Sequence, residues 1–226
     1  MNIILFGPPG AGKGTQGDYL VKDFNLFKIS TGDLLRKEID NKTSLGNEIK
    51  SIIERGSLVS DNITNRLIEN VLSDKKYYNR LIFDGYPRTI NQTQKLDEMI
   101  IKYDQKISCV LSLKVDQEIV TKRILGRQIC SKCGLIFNKF FNPPKVVENK
   151  CEHDLTTRSD DNVDIIKKRF KTYHQETLPI LSYYQKQNLL HEIDGMKEIG
   201  IIYKEIGGII KGLDTWLYII YLYNEQ

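Results

Sequence analysis

The chain has 226 residues, 40% of them hydrophobic and 27% charged, and a net charge of +4. That composition suits one soluble domain carrying insertions and excludes a disordered or fibrous chain. No apolar run approaches the roughly 20 residues of a membrane span, the opening strand leaves no space for a cleavable leader, and the basic excess is too small and dispersed to argue for nucleic acid.

The first expected element is a strand over "NIILF", which runs directly into "GPPGAGKGT", residues 7–15, and then a helix. Strand, glycine-rich loop, lysine and helix in that order form a phosphate loop. Gly7, Gly10, Gly12 and Gly14 let the backbone curl so that its N–H groups face phosphate oxygens, and Lys13 adds a mobile positive charge. Gly14 follows the lysine and Thr15 comes one later, a small departure from the generic pattern.

Next, "STGDLLR" sets Thr31 and Arg36 at and just inside a helix start. Two helical patterns follow, "SLGNEIKSIIE" with Gly56 as its C-cap and "NITNRLIENVL" with Ser60 at its N-cap and Asp61 in its first turn. Residues 31–60 are thus an excursion from the strand–helix alternation. The strand "LIFD" then ends on Asp84, with Arg88 just beyond in "FDGYPRT". A carboxylate at the end of a neighbouring strand is where a phosphate-loop enzyme holds magnesium or its water shell.

The helix "TQKLDEMIIK", the strand "ISCVLSL" with a core thiol at Cys109, and the helix "EIVTKRIL" lead to a second excursion, from about Gln128 to Arg158. Within it Cys130 and Cys133 stand two residues apart and Cys151 follows, the spacing of a zinc ribbon in a reducing, cytoplasmic setting. Asp154 repeats the first pair's gap after Cys151, whereas His153, the commoner ligand type, falls one residue short; spacing favours Asp154. Arg123 and Arg127 precede this excursion and Arg158 and Arg169 follow it, placed to converge on a polyphosphate. A helical stretch from about Asp161 to Lys186 is expected to kink or break at Pro179. The last strand is "LLHEID", and the apolar tail, 212–226, is open to reading as a packed helix, a strand or a contact surface, packing on the protein's own core being favoured.

Alternating strands and helices, with apolar strands throughout, predict an α/β fold: a parallel sheet of the P-loop NTPase type with helices on both faces. No string supplies the base that a hydroxyl acceptor needs, while a phosphate acceptor is already anionic at neutral pH.

The strings "GPPGAGKGT", "STGDLLR", "FDGYPRT", "GRQIC", "FNPPK", "LTTRSDDN" and "IDG" together resemble adenylate kinase, in its long-lid, zinc-binding bacterial-type form, over about residues 1–211. The resemblance implies a core of residues 1–30, 60–127 and 159–211, an AMP-binding insertion at 31–59 and a lid at 128–158. It puts ATP against Gly10, Ala11, Gly12, Lys13, Gly14, Thr15, Arg127, Ile136, Phe137 and Lys197. It puts AMP against Thr31, Arg36, Ser57, Leu58, Val59, Gly85, Tyr86, Pro87, Arg88, Gln92, Arg158 and Arg169. Lys13, Asp84, Arg88, Arg127, Arg158 and Arg169 would carry the transfer, with Mg²⁺ accompanying ATP, and Zn²⁺ held by Cys130, Cys133, Cys151 and Asp154 would staple the lid. The implied protein is a cytoplasmic monomer that turns ATP and AMP into two ADP and engages neither nucleic acid nor membrane. Two other readings compete: a nucleic-acid-binding ribbon, disfavoured by the acidic "EHD" and "DD" beside it, and a related kinase of another monophosphate.

Overall fold

The computed structural model describes residues 1–42, 44–141, 143 and 154–224, with residue 45 and residues 214–224 as backbone only. Its centre is β1 (Asn2–Phe6), every residue of which is buried. A strand this apolar needs cover on both faces, and it has it. It lies in a parallel sheet between β3 (Leu81–Asp84) and β4 (Ile107–Lys114), with β2 (Phe27–Ser30) and β8 (Leu190–Asp194) at the edges, in the order β2-β3-β1-β4-β8.

The period-two alternation of strand side chains divides the core. Ile4 and Phe6 point to one face, with Phe83, Val110, Leu96 and Tyr184. That face is covered by α4 (Asp61–Leu72), α5 (Ile90–Lys102) and α8 (Ile180–Lys186). Ile3 and Leu5 point to the other, with Ile82, Leu111, Ile193 and Leu20, beneath α1 (Lys13–Phe24) and the start of α9 (Ile199–Asn224). Cys109 belongs to this second cluster, and burial pushes its thiol up to about 12, as fits an inert core cysteine.

The first excursion folds as α2 (Thr31–Asp40) and α3 (Ser44–Glu54). Ser30 caps α2, its Oγ accepting from Asp33 N at 3.3 Å. The two helices cross at Gly46, where a Cβ would stand 2.3 Å from the Glu38 carbonyl oxygen, so only glycine fits. Leu35, Ile49 and Val59 form a small core of their own. Gly56 ends α3 at φ +73° with its N–H donating to Ile53 O, the expected C-cap. Ser60 does occupy the N-cap position of α4, but its side chain makes no cap; its carbonyl accepts from both the N–H and hydroxyl of Thr64.

The second excursion leaves the core after α6 (Gln117–Leu125) as a separate antiparallel sheet, β6-β5-β7, made of β5 (Arg127–Cys130), β6 (Ile136–Asn138) and β7 (Leu155–Thr156). The chain returns through α7 (Val163–Thr172), capped by Asn162, whose Oδ1 accepts from Ile165 N. The expected break before Pro179 takes a particular form: the helix widens into a π turn over Tyr173–Thr177, with Leu178 N donating to Tyr173 O at 2.8 Å, before α8 restarts. Proline lacks the N–H that would continue the α ladder, and the wider turn accommodates the loss. The tail continues α9 in helical form to Asn224. Among the described residues no helix is long and apolar enough to cross a membrane.

Candidate active site

At its C-terminal end β1 stops at Phe6, and the next residues wrap before α1 begins at Lys13. Gly10 (φ +79°) and Gly12 (φ +94°) adopt left-handed backbone that L side chains rarely accept. Gly10 is doubly required, since a Cβ there would lie 2.6 Å from Ile124 Cγ1 and 2.7 Å from Val120 Cγ1 on α6. The Lys13 ammonium folds back over the loop, donating to Gly7 O at 2.7 Å and Pro8 O at 3.0 Å.

The loop forms the floor of a cleft of about 890 Å³ that runs between the two excursions. Gly10 to Thr15, Arg127, Ile136, Phe137 and Lys197 line it, and so do Thr31, Arg36, Ser57, Leu58, Val59, Gly85, Pro87, Arg88, Gln92, Arg158 and Arg169. Asp84 lies at the end of β3 beside the loop, its Oδ2 3.8 Å from where a Cβ on Gly14 would stand. The expected nucleotide residues therefore share one cleft, apart from Tyr86. That side chain turns away into the core, 1% exposed, with its ring 6.4 Å from that of Phe83 and its hydroxyl donating to Asn65 Oδ1 at 2.7 Å. A large aromatic ring beside an apolar strand gains more from the core than from a polar cleft.

The cleft is crowded with positive charge. Burial pulls Lys13 down to about 8; Asp84 opposes this, and Arg88, Arg169 and Arg127 add to it. Arg88 falls to about 10 through burial and then the charge of Arg169, and Arg158 falls to about 10 through burial followed by Arg127 and Arg36. Both remain charged at neutral pH. Cations gathered where solvation is poor gain most from an anion with several charged oxygens.

Carboxylates that the sequence reading did not single out hold these arginines. Asp161 takes Arg127 in a forked pair, with Nε donating to Oδ2 at 2.8 Å and the second nitrogen to Oδ1. Asp160, 5% exposed, accepts from Arg169 at 2.7 Å. Asp33 pairs with Arg36 and stands 3.7 Å from Arg158, reaching across between the excursions. Burial pushes the Asp33 carboxyl up, but the Arg36 hydrogen bond and charge outweigh it and leave the group below its ordinary value. The π turn contributes Thr177, whose hydroxyl donates to Arg88 O at 2.9 Å.

The comparisons with known proteins decide the family. A family model described as "Adenylate kinase" matches residues 5–189. The chain is 45% identical over 213 residues to an adenylate kinase of Pelagibacter ubique, covering 93% of this chain and 100% of the relative. It is 40% identical to one of Thermosipho africanus (93% and 100% covered) and 39% identical to one of Enterococcus faecalis (93% and 99%). The chain belongs to the adenylate kinase family. Like other members of the adenylate kinase family it is an enzyme, a phosphotransferase working on adenine nucleotides.

Of the expected zinc ligands, Cys130, Cys133 and Asp154 do not line the cleft. Cys130, buried, and Cys133, exposed, bracket a tight turn closed by Gly134 N donating to Cys130 O at 2.9 Å, with Gly134 at φ +73°. Asp154 lies against this turn: Ser131 N donates to its carbonyl at 2.8 Å and Ser131 Oγ to its carboxylate at 2.6 Å. Cys151 and His153 lie outside the described residues, and among the described residues no group of three or more metal-ligating side chains is assembled.

Proposed function

We infer that this chain transfers the terminal phosphoryl group of MgATP to AMP, reversibly, giving two ADP, in the cleft just described. The observation that carries the reading is the convergence of Lys13 with Arg36, Arg88, Arg127, Arg158 and Arg169 on one phosphate loop. A phosphate acceptor needs no base, so positioning and charge neutralisation suffice. In this reading the loop N–H groups and Lys13 hold the donor phosphates, and Arg36 and Arg88 hold the acceptor phosphate. Arg127, Arg158 and Arg169 neutralise the charge developing between them. Ile136, Phe137 and Lys197 border the donor nucleoside, and Ser57, Leu58, Val59, Gly85, Pro87 and Gln92 the acceptor nucleoside, with Tyr86 supporting them from the core.

Asp84 beside Gly14 fits the magnesium that accompanies ATP, a hard cation suited to carboxylate oxygen and water. Once bound, that ion neutralises charge on the donor phosphates. Residues 31–59 act as the acceptor-binding insertion and 128–158 as a lid that keeps water from the phosphoryl group, on a core of 1–30, 60–127 and 159–211. A lid this small buries little apolar surface, as the exposure of Leu135, Phe140 and Phe141 illustrates. The Cys130–Gly134 turn with Asp154 beside it suits a structural Zn²⁺ completed by Cys151, in a bacterial-type long lid. Thiolate ligands imply a reducing cytoplasm, and a cleft built entirely by one chain suits a monomer that binds nucleotides rather than nucleic acid or membrane.

The test is turnover of purified enzyme with MgATP and a panel of AMP, GMP, CMP and UMP, repeated for Lys13→Ala. AMP is expected to be the preferred acceptor, and the variant to lose roughly 100-fold or more in kcat while remaining folded. Near-normal turnover without Lys13 would refute the mechanism, and preference for another monophosphate would refute the substrate.

A further inference from the structure

Gln92 is the one side-chain amide among the acceptor-side residues, and it is 2% exposed while bordering the cleft. An amide can be turned end for end with little change of shape, so its hydrogen-bonding order must be fixed by its partners. Here both ends are fixed. Arg88 N, which can only donate, gives a hydrogen bond of 2.7 Å to Gln92 Oε1. On the other side Gln92 Nε2 donates at 2.7 Å to Asp61 Oδ1. Asp61 is itself secured, since Oδ2 accepts from the Thr89 hydroxyl at 3.0 Å, and Thr89 in turn caps α5 by accepting from Gln92 N at 3.1 Å.

We propose that Asp61 is a specificity-determining positioning residue: by accepting from Nε2 it locks the Gln92 amide in one orientation, and thereby selects a 6-aminopurine over a 6-oxopurine at the acceptor site. The inference rests on reading this cleft as the AMP site. With one lone pair of Oε1 taken by Arg88 and one Nε2 hydrogen taken by Asp61, the amide retains one acceptor and one donor position. An adenine edge offers an amino donor and a ring-nitrogen acceptor, which match that order. Hypoxanthine and guanine offer an oxygen where adenine has the amino group and an N–H where adenine has the bare nitrogen, so both positions meet like against like. Turning the amide over would suit the oxopurine, but Nε2 would then face Arg88 N–H and Oε1 would face the Asp61 carboxylate.

The substitution Asp61→Asn removes half of that constraint, because the new amide can donate as well as accept. The experiment compares kcat/KM for AMP and for IMP, which differ only at the edge in question, in the wild-type enzyme and in Asp61→Asn and Asp61→Ala. The ratio of the two constants is independent of how much of each preparation is folded, so a destabilised variant still reports. The AMP-over-IMP ratio is expected to fall by roughly tenfold or more in both variants, the worth of one misdirected hydrogen-bonding pair, while KM for MgATP stays within about twofold. In a Gln92→Leu background Asp61→Asn should no longer change the ratio. An unchanged ratio in both variants, with AMP and IMP losing activity together, would make Asp61 a structural residue and overturn the proposal. So would a wild-type enzyme that uses AMP and IMP alike, a result that leaves phosphoryl transfer intact. Absence of transfer to any monophosphate would instead refute the function on which the proposal rests.

Discussion

Lys13 should make nucleotide binding depend on pH in a range where few other groups titrate. Its ammonium loses half its charge near pH 8 instead of 10.5, chiefly because it is buried. About three quarters of the molecules then carry the charge at pH 7.5 and about one in ten at pH 9. A triphosphate laid against Lys13 favours the charged form by direct attraction, so binding raises the group's pKa and draws in a proton. The sign follows: affinity is full well below pH 8, half lost near pH 8, and falls further as pH rises above it. Between pH 7.5 and 9 the Kd for MgATP should weaken roughly eightfold, with close to one proton taken up per nucleotide at pH 9. Arg88 and Arg158 fall only to about 10, so they contribute little in this range. Calorimetric titration at pH 9 in two buffers of different ionisation enthalpy measures the uptake directly, and the same titration from pH 7.5 upward gives the Kd profile. Lys13→Met should bind weakly at every pH, with a flat profile and no uptake. A wild-type Kd that is flat over this range, with no proton uptake at pH 9, would show that Lys13 keeps its ordinary charge and that the burial argument is wrong.

Changing Arg127, Arg158 or Arg169 singly to Lys removes the forked guanidinium and should lower kcat about 10- to 100-fold with a much smaller effect on Tm; a fall in Tm with unaltered kinetics would make them structural charges. Gly10→Ala forces a side chain into left-handed backbone and against Ile124 and Val120, for which a loss of about 2–4 kcal/mol in unfolding free energy and weaker ATP binding are expected, measured by urea denaturation and calorimetry. Elemental analysis should find one zinc per chain, retained in His153→Ala and weakened in Asp154→Ala with Tm falling alongside metal content; loss of zinc in the histidine variant instead would overturn the spacing argument.

The inner strands of the sheet were legible because they are buried on both faces and read as apolar runs, as in "NIILF" and "ISCVLSL". The strand that was not legible was β2, "FKIS", an edge strand of four residues with only Ile29 buried and a lysine in the middle, which carries no such signature. The glycines of the phosphate loop were legible for a local reason, since each answers a backbone requirement within a few residues. The burial of the Tyr86 side chain was not legible, because its neighbours Gly85, Pro87 and Arg88 border the cleft and a contiguous motif gives no sign that one side chain turns to the core. The carboxylates escaped notice for the opposite reason. Asp161 meets Arg127 across 34 positions, and Asp33 reaches Arg158 between separate excursions, so neither pairing leaves a local pattern in the chain.

Those carboxylates make phosphate capture an exchange. At Arg36, Arg127 and Arg169 an incoming phosphate does not meet a bare guanidinium, because Asp33, Asp161 and Asp160 already pair with them, and there it gains only the difference between its own attraction and theirs. The aspartates compete for the arginines again whenever a product begins to leave. A cleft of unshielded cations would grip ADP and stall on release; one that keeps its own counterions in waiting lets go in either direction, which a reversible transfer requires.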